Sequence, residues 1–172
     1  LEGLKASPHP GIRVGYLGLV ETTKMHPHFA QLAACVTNPE VQIEIYGGGC
    51  WKAELQKQFE GLGMSDRVRF HGHVEDIRSA FGAMDIFGYP LAPQTYATSE
   101  KTIQEAMWAG IPPVVLAGTG ATLLVHHEHT GLVCEHEADY PLAIDRLAGD
   151  PILRQRLGKA AHAFAREKFD PI

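Results

Sequence analysis

The chain has 172 residues, 45% hydrophobic and 20% charged, with 18 glycines, 11 prolines and a formal net charge of −5. That length fits one domain able to bury roughly two-thirds of its unfolded surface, and an acidic balance without any lysine or arginine run excludes a nucleic-acid footprint. No apolar stretch approaches the roughly 20 residues of a membrane span, and Cys35, Cys50 and Cys134, widely spaced with no CxxC pair, point to a reducing, cytoplasmic setting.

Leu1 to Pro10, with Pro8 and Pro10, reads as a linker, and the domain proper runs from residue 11 to 172. Ile12–Leu17 is a short apolar run broken by Gly15 and closed by Gly18, which predicts a buried strand entering a turn. His28–Val36 carries Phe29, Leu32, Ala33 and Val36 at helical spacing and stops at Asn38-Pro39. Val41–Tyr46 alternates apolar residues with Gln42 and Glu44, then breaks at Gly47-Gly48-Gly49. An amphipathic helix over Trp51–Leu62 ends at Gly63, Val68–Phe70 is a strand, Ile77–Phe81 a helical turn and Met84–Phe87 the next strand. The second half repeats the rhythm: helix from about Ser99 to Ala109, strand Pro112–Leu116, helix Ala121–His127, strand Gly131–Cys134, helix Tyr140–Leu147, and a last helix from Pro151 to about Lys168. Strand and helix alternating with short connections predict an α/β fold: a doubly wound, Rossmann-like, six-stranded parallel sheet.

In such a fold ligands sit outside the carboxyl ends of the strands, where helix N-termini point free N–H groups. Five segments follow strands and are rich in small, polar or charged residues: Gly18–Lys24, Gly47–Cys50, His71–Asp76, Pro90–Glu105 and Ala117–Ala121. All five should share one edge of the sheet. Ten histidines raise a metal site as an alternative. His71 and His73, as alternate residues of a strand end, would share a face and chelate. Without a cysteine or carboxylate cluster beside them, polar loop-edge histidines are the favoured reading, and no metal is assigned.

In the stretch Ser99–Val114, Ile103, Met107 and Gly110 fall on one helical face, expected to pack on the sheet, while Thr102, Glu105, Ala106 and Ala109 fall on the other. Glu105 is then a carboxylate near the ligand edge, and a carboxylate accepts two hydrogen bonds side by side, as the vicinal hydroxyls of a ribose require. The helix start ahead of it offers backbone donors to a diphosphate. Alone, Glu105 reads better as a solvated surface residue.

It does not stand alone. Glu105-Ala106-Met107-Trp108-Ala109-Gly110-Ile111-Pro112-Pro113-Val114 resembles the E-A-x-A-x-G-x-P-V signature of GT-B glycosyltransferases, specifically the large retaining family 4. Gly18 and Lys24 look like the glycine and lysine of that family's first loop, and Gly47-Gly48-Gly49 like its G-x-G after the second strand. Asp66–Gly72 is similar to its D-x-V-x-F-x-G, Asp85–Pro90 to its D-I-x-x-x-P, and His129–Val133 to its x-T-G-L-V. Each is weak by itself; their order and spacing over about 160 residues are strong.

The resemblance implies the C-terminal, nucleotide-sugar-binding half of a longer two-domain enzyme whose acceptor-binding half, with the catalytic histidine, is not in this chain. It implies that Glu105 holds the ribose hydroxyls and that Lys24 neutralises the diphosphate. The segment at Gly72 would lie against the base, with backbone contacts from Val74 or Glu75, and Thr119 and Gly120 would add phosphate donors. The donor is a UDP- or GDP-type sugar acting as substrate, with no cofactor and no obligatory metal, in keeping with the absence of an Asp-x-Asp pattern. The parent protein is then cytoplasmic or peripheral to a membrane. Two positions depart from the family: Leu19 stands where an arginine often follows the first-loop glycine, and Ala97 where a sugar-contacting glutamate precedes Glu105 by eight positions. Glu100 and Lys101 are the candidates to compensate. A degenerate, non-catalytic half used for binding or scaffolding is the competing reading. A dinucleotide-binding oxidoreductase fits poorly, because Gly15-Tyr16-Leu17-Gly18 lacks the G-x-G-x-x-G spacing and Gly47 stands where the ribose-binding acid belongs.

Overall fold

The structure, a computed structural model, describes residues 1, 4, 6–93, 95 and 100–169. Six strands alternate with helices: β1 (Ile12–Leu17), α1 (Phe29–Ala34), β2 (Val41–Tyr46), α2 (Lys52–Gly61), β3 (Val68–Gly72), α3 (Ile77–Gly82), β4 (Ile86–Tyr89), α4 (Lys101–Trp108), β5 (Pro113–Leu116), a 3-10 turn (Gly120–Leu123), β6 (Leu132–Cys134), α5 (Asp139–Gly149) and α6 (Pro151–Lys168). Every strand pairing is parallel, and the order across the sheet is β3-β2-β1-β4-β5-β6. This is the doubly wound arrangement expected from the alternation. Its order reverses between β1 and β4, where such sheets open a crevice. Because all strands run the same way, the described parts of all five segments singled out above lie at one edge.

Parallel strands covered on both faces are buried on both, and β2 is, despite its alternation of apolar residues with Gln42 and Glu44. Val41, Ile43 and Ile45 are buried, but so is Glu44, at 1% exposure. Its carboxylate is retained inside by basic neighbours: His71 Nε2 at 2.5 Å, Arg13 Nε at 3.7 Å and a guanidinium nitrogen of Arg69 at 3.9 Å. A buried charge persists only where such groups surround it.

Helix starts obey local chemistry. Asp76 accepts the Arg78 N–H ahead of α3, and Asp150 accepts the Leu153 N–H ahead of α6, where Pro151 fills a first-turn position. The outward face assigned to α4 is not outward. Ala106 is buried together with Ile103 and Met107, because α6 lies across α4. The approach is close enough that a Cβ on Gly158 would come within 2.2 Å of the Gly110 carbonyl oxygen.

Several boundaries differ from expectation. β4 starts at Ile86 rather than Met84, since Arg13 and Asp85 meet through a backbone and a side-chain hydrogen bond before regular pairing begins. Its far end extends through Gly88 and Tyr89, which pair with Val114 and Val115 of β5. The helix expected over Ala121–His127 shrinks to the 3-10 turn, after which Thr130 Oγ1 takes the His126 N–H and Glu128 adopts φ 62°. Helix α4 begins at Lys101, and Ser99 lies outside the described residues. Before β1 the chain is packed: Leu1 is buried beside Trp108, and Ser7 N–H reaches the Gly82 carbonyl at 2.7 Å.

Candidate functional site

The glycines at the ends of β1, β2 and β3 hold three loops in contact. Gly47 has φ +135°, and a Cβ there would sit 1.8 Å from the Gly18 carbonyl oxygen, so conformation and space both demand glycine. The loops then bond to one another: Gly47 N–H to the Gly72 carbonyl at 2.6 Å, Gly18 N–H to Tyr46 at 3.0 Å and Val20 N–H to Gly48 at 3.0 Å. Gly18 and Gly47 thus shape the site, and their own N–H groups are committed within it. Beside them opens a cavity of about 380 Å³ bounded by Gly18, Lys24, Tyr46, Gly47, His73 and Val74. Leu17, Leu19 and Ile77 give it apolar wall. Four of the expected site residues therefore converge on one space, and Gly72 lies directly beneath as the acceptor for Gly47.

Lys24 is steered into that space by its backbone. Its carbonyl accepts the Ala92 N–H at 2.8 Å, and Met25 beside it is fully buried and bridged to Leu91. The ammonium lies 5.6 Å from the Tyr89 ring centroid, over its face, an attractive placement for a cation. Glu100, the residue before α4, is 5% exposed, and among the described residues its carboxylate has the Tyr89 hydroxyl and the Lys24 charge beside it, with no well-formed hydrogen bond to either oxygen. The Tyr89 hydroxyl faces Glu100 and Thr102, likewise without a well-formed bond. Burial pushes the Glu100 carboxyl above the usual carboxylate range, with the Lys24 charge opposing the shift. Burial, then the Glu100 charge, pushes the Tyr89 phenol well up. A buried carboxylate next to a cation at a helix start, without a well-formed hydrogen bond, is a polar group in need of a donor.

Glu105 lies one turn further along α4, at 6% exposure, with Lys101 Nζ 3.8 Å away. Burial raises its pKa and the Lys101 charge counters this. It is not solvated, and it does not line the 380 Å³ cavity. Thr119 is buried, and its hydroxyl donates to the Leu116 carbonyl at 2.9 Å, so that proton is engaged; Gly120 opens the 3-10 turn at the same edge of the sheet. Ala97 lies outside the described residues, while Leu19 projects at the cavity rim, 55% exposed.

His71 and His73 do not share a face. A bulge in the β2–β3 pairing and the φ of +71° at Gly72 part them. His71 stacks on Tyr46 with ring centroids 4.2 Å apart and 7° between planes, while His73 borders the cavity. Among the described residues the grouping that brings three possible metal ligands together is instead His26, His28 and Glu137. Sequence reasoning passed over Tyr46, Tyr89 and this trio. Tyr46 had a signal, since it closes a strand at the ligand edge directly before three glycines. Glu137 had none, because it is 109 positions from His28.

The glycosyl transferases group 1 family model matches residues 5–164. The chain is 28% identical over 162 residues to a GDP-mannose-dependent alpha-mannosyltransferase of Mycolicibacterium smegmatis, covering 92% of this chain and 40% of that protein. It is 34% identical over 131 residues to a D-inositol 3-phosphate glycosyltransferase of Streptomyces griseus, covering 70% of this chain and 26% of that one. The chain thus spans well under half the length of these curated relatives. Among solved structures, Anabaena HepE in complex with UDP and glucose superposes with a TM-score of 0.83 at 24% identity, covering 93% of this chain and 45% of HepE. The C-terminal domain of a group 1 glycosyl transferase, LpcC of Francisella tularensis, superposes with a TM-score of 0.80 at 18% identity and is covered to 95%, with 96% of this chain aligned. With a six-stranded parallel sheet that matches GT-B glycosyltransferase folds and a family model that spans residues 5–164, the chain belongs to the glycosyl transferases group 1 family.

Proposed function

We propose that this chain is the donor-binding half of a retaining glycosyltransferase that moves a sugar from a nucleotide sugar to an acceptor held by a second domain. The observation that carries this reading is the meeting of Lys24, which lines the cavity at the carboxyl edge, with the buried carboxylate of Glu100 just ahead of α4. One is a cation held by its backbone, the other a carboxylate without a well-formed hydrogen bond among the described residues. In this reading the base lies against Leu17, Tyr46, His73 and Val74, and Lys24 faces the diphosphate. Glu105 accepts the ribose hydroxyls once Lys101 swings aside. Glu100 accepts hydroxyls of the transferred sugar, in place of the glutamate that Ala97 lacks. Transfer forms a bond from the anomeric carbon to the acceptor oxygen and breaks the bond to the diphosphate, which leaves with the electron pair and takes up the acceptor hydroxyl's proton. Lys24 stabilises the charge that develops there.

HepE, with UDP and glucose bound, supports a nucleotide site in this fold, and the GDP-mannose-dependent mannosyltransferase relative supports a hexosyl donor. Because the chain spans less than half of these relatives, it is expected to bind donor and transfer nothing alone. The second reading, a binding module without catalysis, is favoured by Leu19, an apolar side chain projecting where the family often has a cation. Calorimetry with UDP-glucose, GDP-mannose and the bare nucleoside diphosphates separates the two. Donor binding that Lys24→Met weakens about ten-fold, as expected for one charge-assisted contact, supports the enzyme reading. A wild-type chain that binds none of them at millimolar concentration removes it.

A further inference from the structure

Lys24 sits on the loop between β1 and α1, so its ammonium is placed only as well as that loop is. On the inner side the loop is tied to the segment after β4. Met25 bridges Leu91, the His26 N–H reaches the Pro90 carbonyl at 2.9 Å, and the Ala92 N–H reaches Lys24. On the outer side it is tied to a distant part of the chain. Glu137, in the connection from β6 to α5, places its Oε2 3.3 Å from His26 Nε2 and 3.0 Å from His28 Nδ1. We propose that Glu137 is a positioning residue for Lys24, holding through His26 and His28 the loop that presents the ammonium to the donor diphosphate. The consequence for donor binding rests on the function proposed above; the hold on the loop does not.

The proton inventory supports a polar latch, with one hydrogen bond between His28 Nδ1 and Glu137 and a close polar contact from His26 Nε2 to the same oxygen. The backbone N–H of His28 points at His26 Nδ1, 3.2 Å away. A backbone amide only donates, so Nδ1 keeps its lone pair and the neutral ring carries its proton on Nε2, facing Glu137. The same carboxylate oxygen takes the Nδ1 proton of His28. His26 is 4% exposed, and burial holds its pKa down ahead of the opposing Glu137 charge, so the neutral donor form is favoured. The three groups lie within 4.8 Å of one another, close enough to suggest a cation. Ligation through His26 Nε2 would move the ring proton to Nδ1, where it would face the His28 N–H, donor against donor. In metal sites the second ring nitrogen donates outward; here it accepts. The arrangement joins the β1–α1 loop to the β6–α5 connection without a metal.

Glu137 is 47% exposed, so Glu137→Ala leaves the core intact. Native-state hydrogen exchange should show the His26 and Ala92 amides opening about five- to ten-fold faster in Glu137→Ala, with Ile43 and Val115 unchanged, the size expected for a lost hydrogen bond. UDP affinity should fall about three- to ten-fold while uridine affinity is unmoved, and the loss should vanish in a Lys24→Met background. Glu137→Gln, which keeps one acceptor, should recover part of both effects. Unchanged exchange at His26 and Ala92 overturns the latch whether or not any nucleotide binds. Equal losses for uridine and UDP, or a full additional loss on top of Lys24→Met, overturn its action through Lys24. Stoichiometric Zn²⁺ binding that Glu137→Ala abolishes overturns the tautomer argument. If the wild-type chain binds no nucleotide, the donor-site reading fails, and the exchange data alone decide whether Glu137 holds the loop.

Discussion

Glu100→Gln should make the protein more stable and a poorer binder of nucleotide sugars. The carboxylate is 5% exposed and, among the described residues, makes no well-formed hydrogen bond, with Lys24 and the Tyr89 hydroxyl nearby to offset its burial, so the folded chain solvates this charge poorly. A buried acceptor left unpaired costs about 1–3 kcal/mol, more when charged. Glutamine removes the charge but leaves an amide in the same place and withdraws the counter-charge near Lys24. The net gain at neutral pH is therefore at the low end, about 1 kcal/mol, or roughly 2–4 °C in Tm for a chain of this size. The sign of the pH dependence follows from linkage. The Glu100 pKa is raised on folding, so between its ordinary value and its raised one the native state binds more protons than the unfolded chain. Stability from this group is then fully present below the ordinary carboxylate pKa and is lost as pH rises through the raised value. The advantage of Glu100→Gln should be near zero at about pH 4 and grow as pH rises. Thermal unfolding of both proteins across that range, at fixed ionic strength, measures it. A Glu100→Gln protein that is less stable than wild type at neutral pH, or a difference independent of pH, would refute the reasoning that this carboxylate is buried, charged and poorly solvated.

Glu105→Gln should weaken UDP and GDP binding about ten-fold by disrupting paired hydrogen bonds to a diol, and calorimetry with the matching 2′,3′-dideoxy nucleotides should show no such loss. Gly47→Ala forces a side chain into φ +135° and against the Gly18 carbonyl. It should lower stability by at least about 2 kcal/mol and abolish nucleotide binding, both readable in one thermal-shift series with and without UDP.

The order of elements was legible because each strand is a short apolar run ended by glycine, and each long helix carries its apolar residues at helical spacing. Local pattern failed where distant parts of the chain decide the outcome. Glu44 alternates as a surface residue would, yet Arg13 and His71 from neighbouring strands make its burial tolerable. Ala106 reads as outward until α6, some fifty residues later, covers it. The site divided in the same way. Gly18, Lys24, Gly47 and Val74 follow strands of a parallel sheet, so topology alone brings them to one cavity. Whether a glycine there donates or merely makes room depends on which carbonyl it faces. The partners of Gly18 and Gly47 belong to adjacent loops that no one segment reveals. The lack of a well-formed hydrogen bond at Glu100 is likewise a property of the folded surroundings.

The central claim, that the carboxyl-edge cavity with Lys24 and the start of α4 is a donor site, is tested most directly by amide chemical-shift mapping of the chain with UDP-glucose and GDP-mannose. The account predicts that at least one of them shifts Gly18, Lys24, His73, Val74, Lys101 and Thr102 together, saturably and with a single affinity. Shifts centred instead on the cavity beside Trp108 and His162, at the other end of α4, or no saturable shifts with either sugar nucleotide, would contradict it.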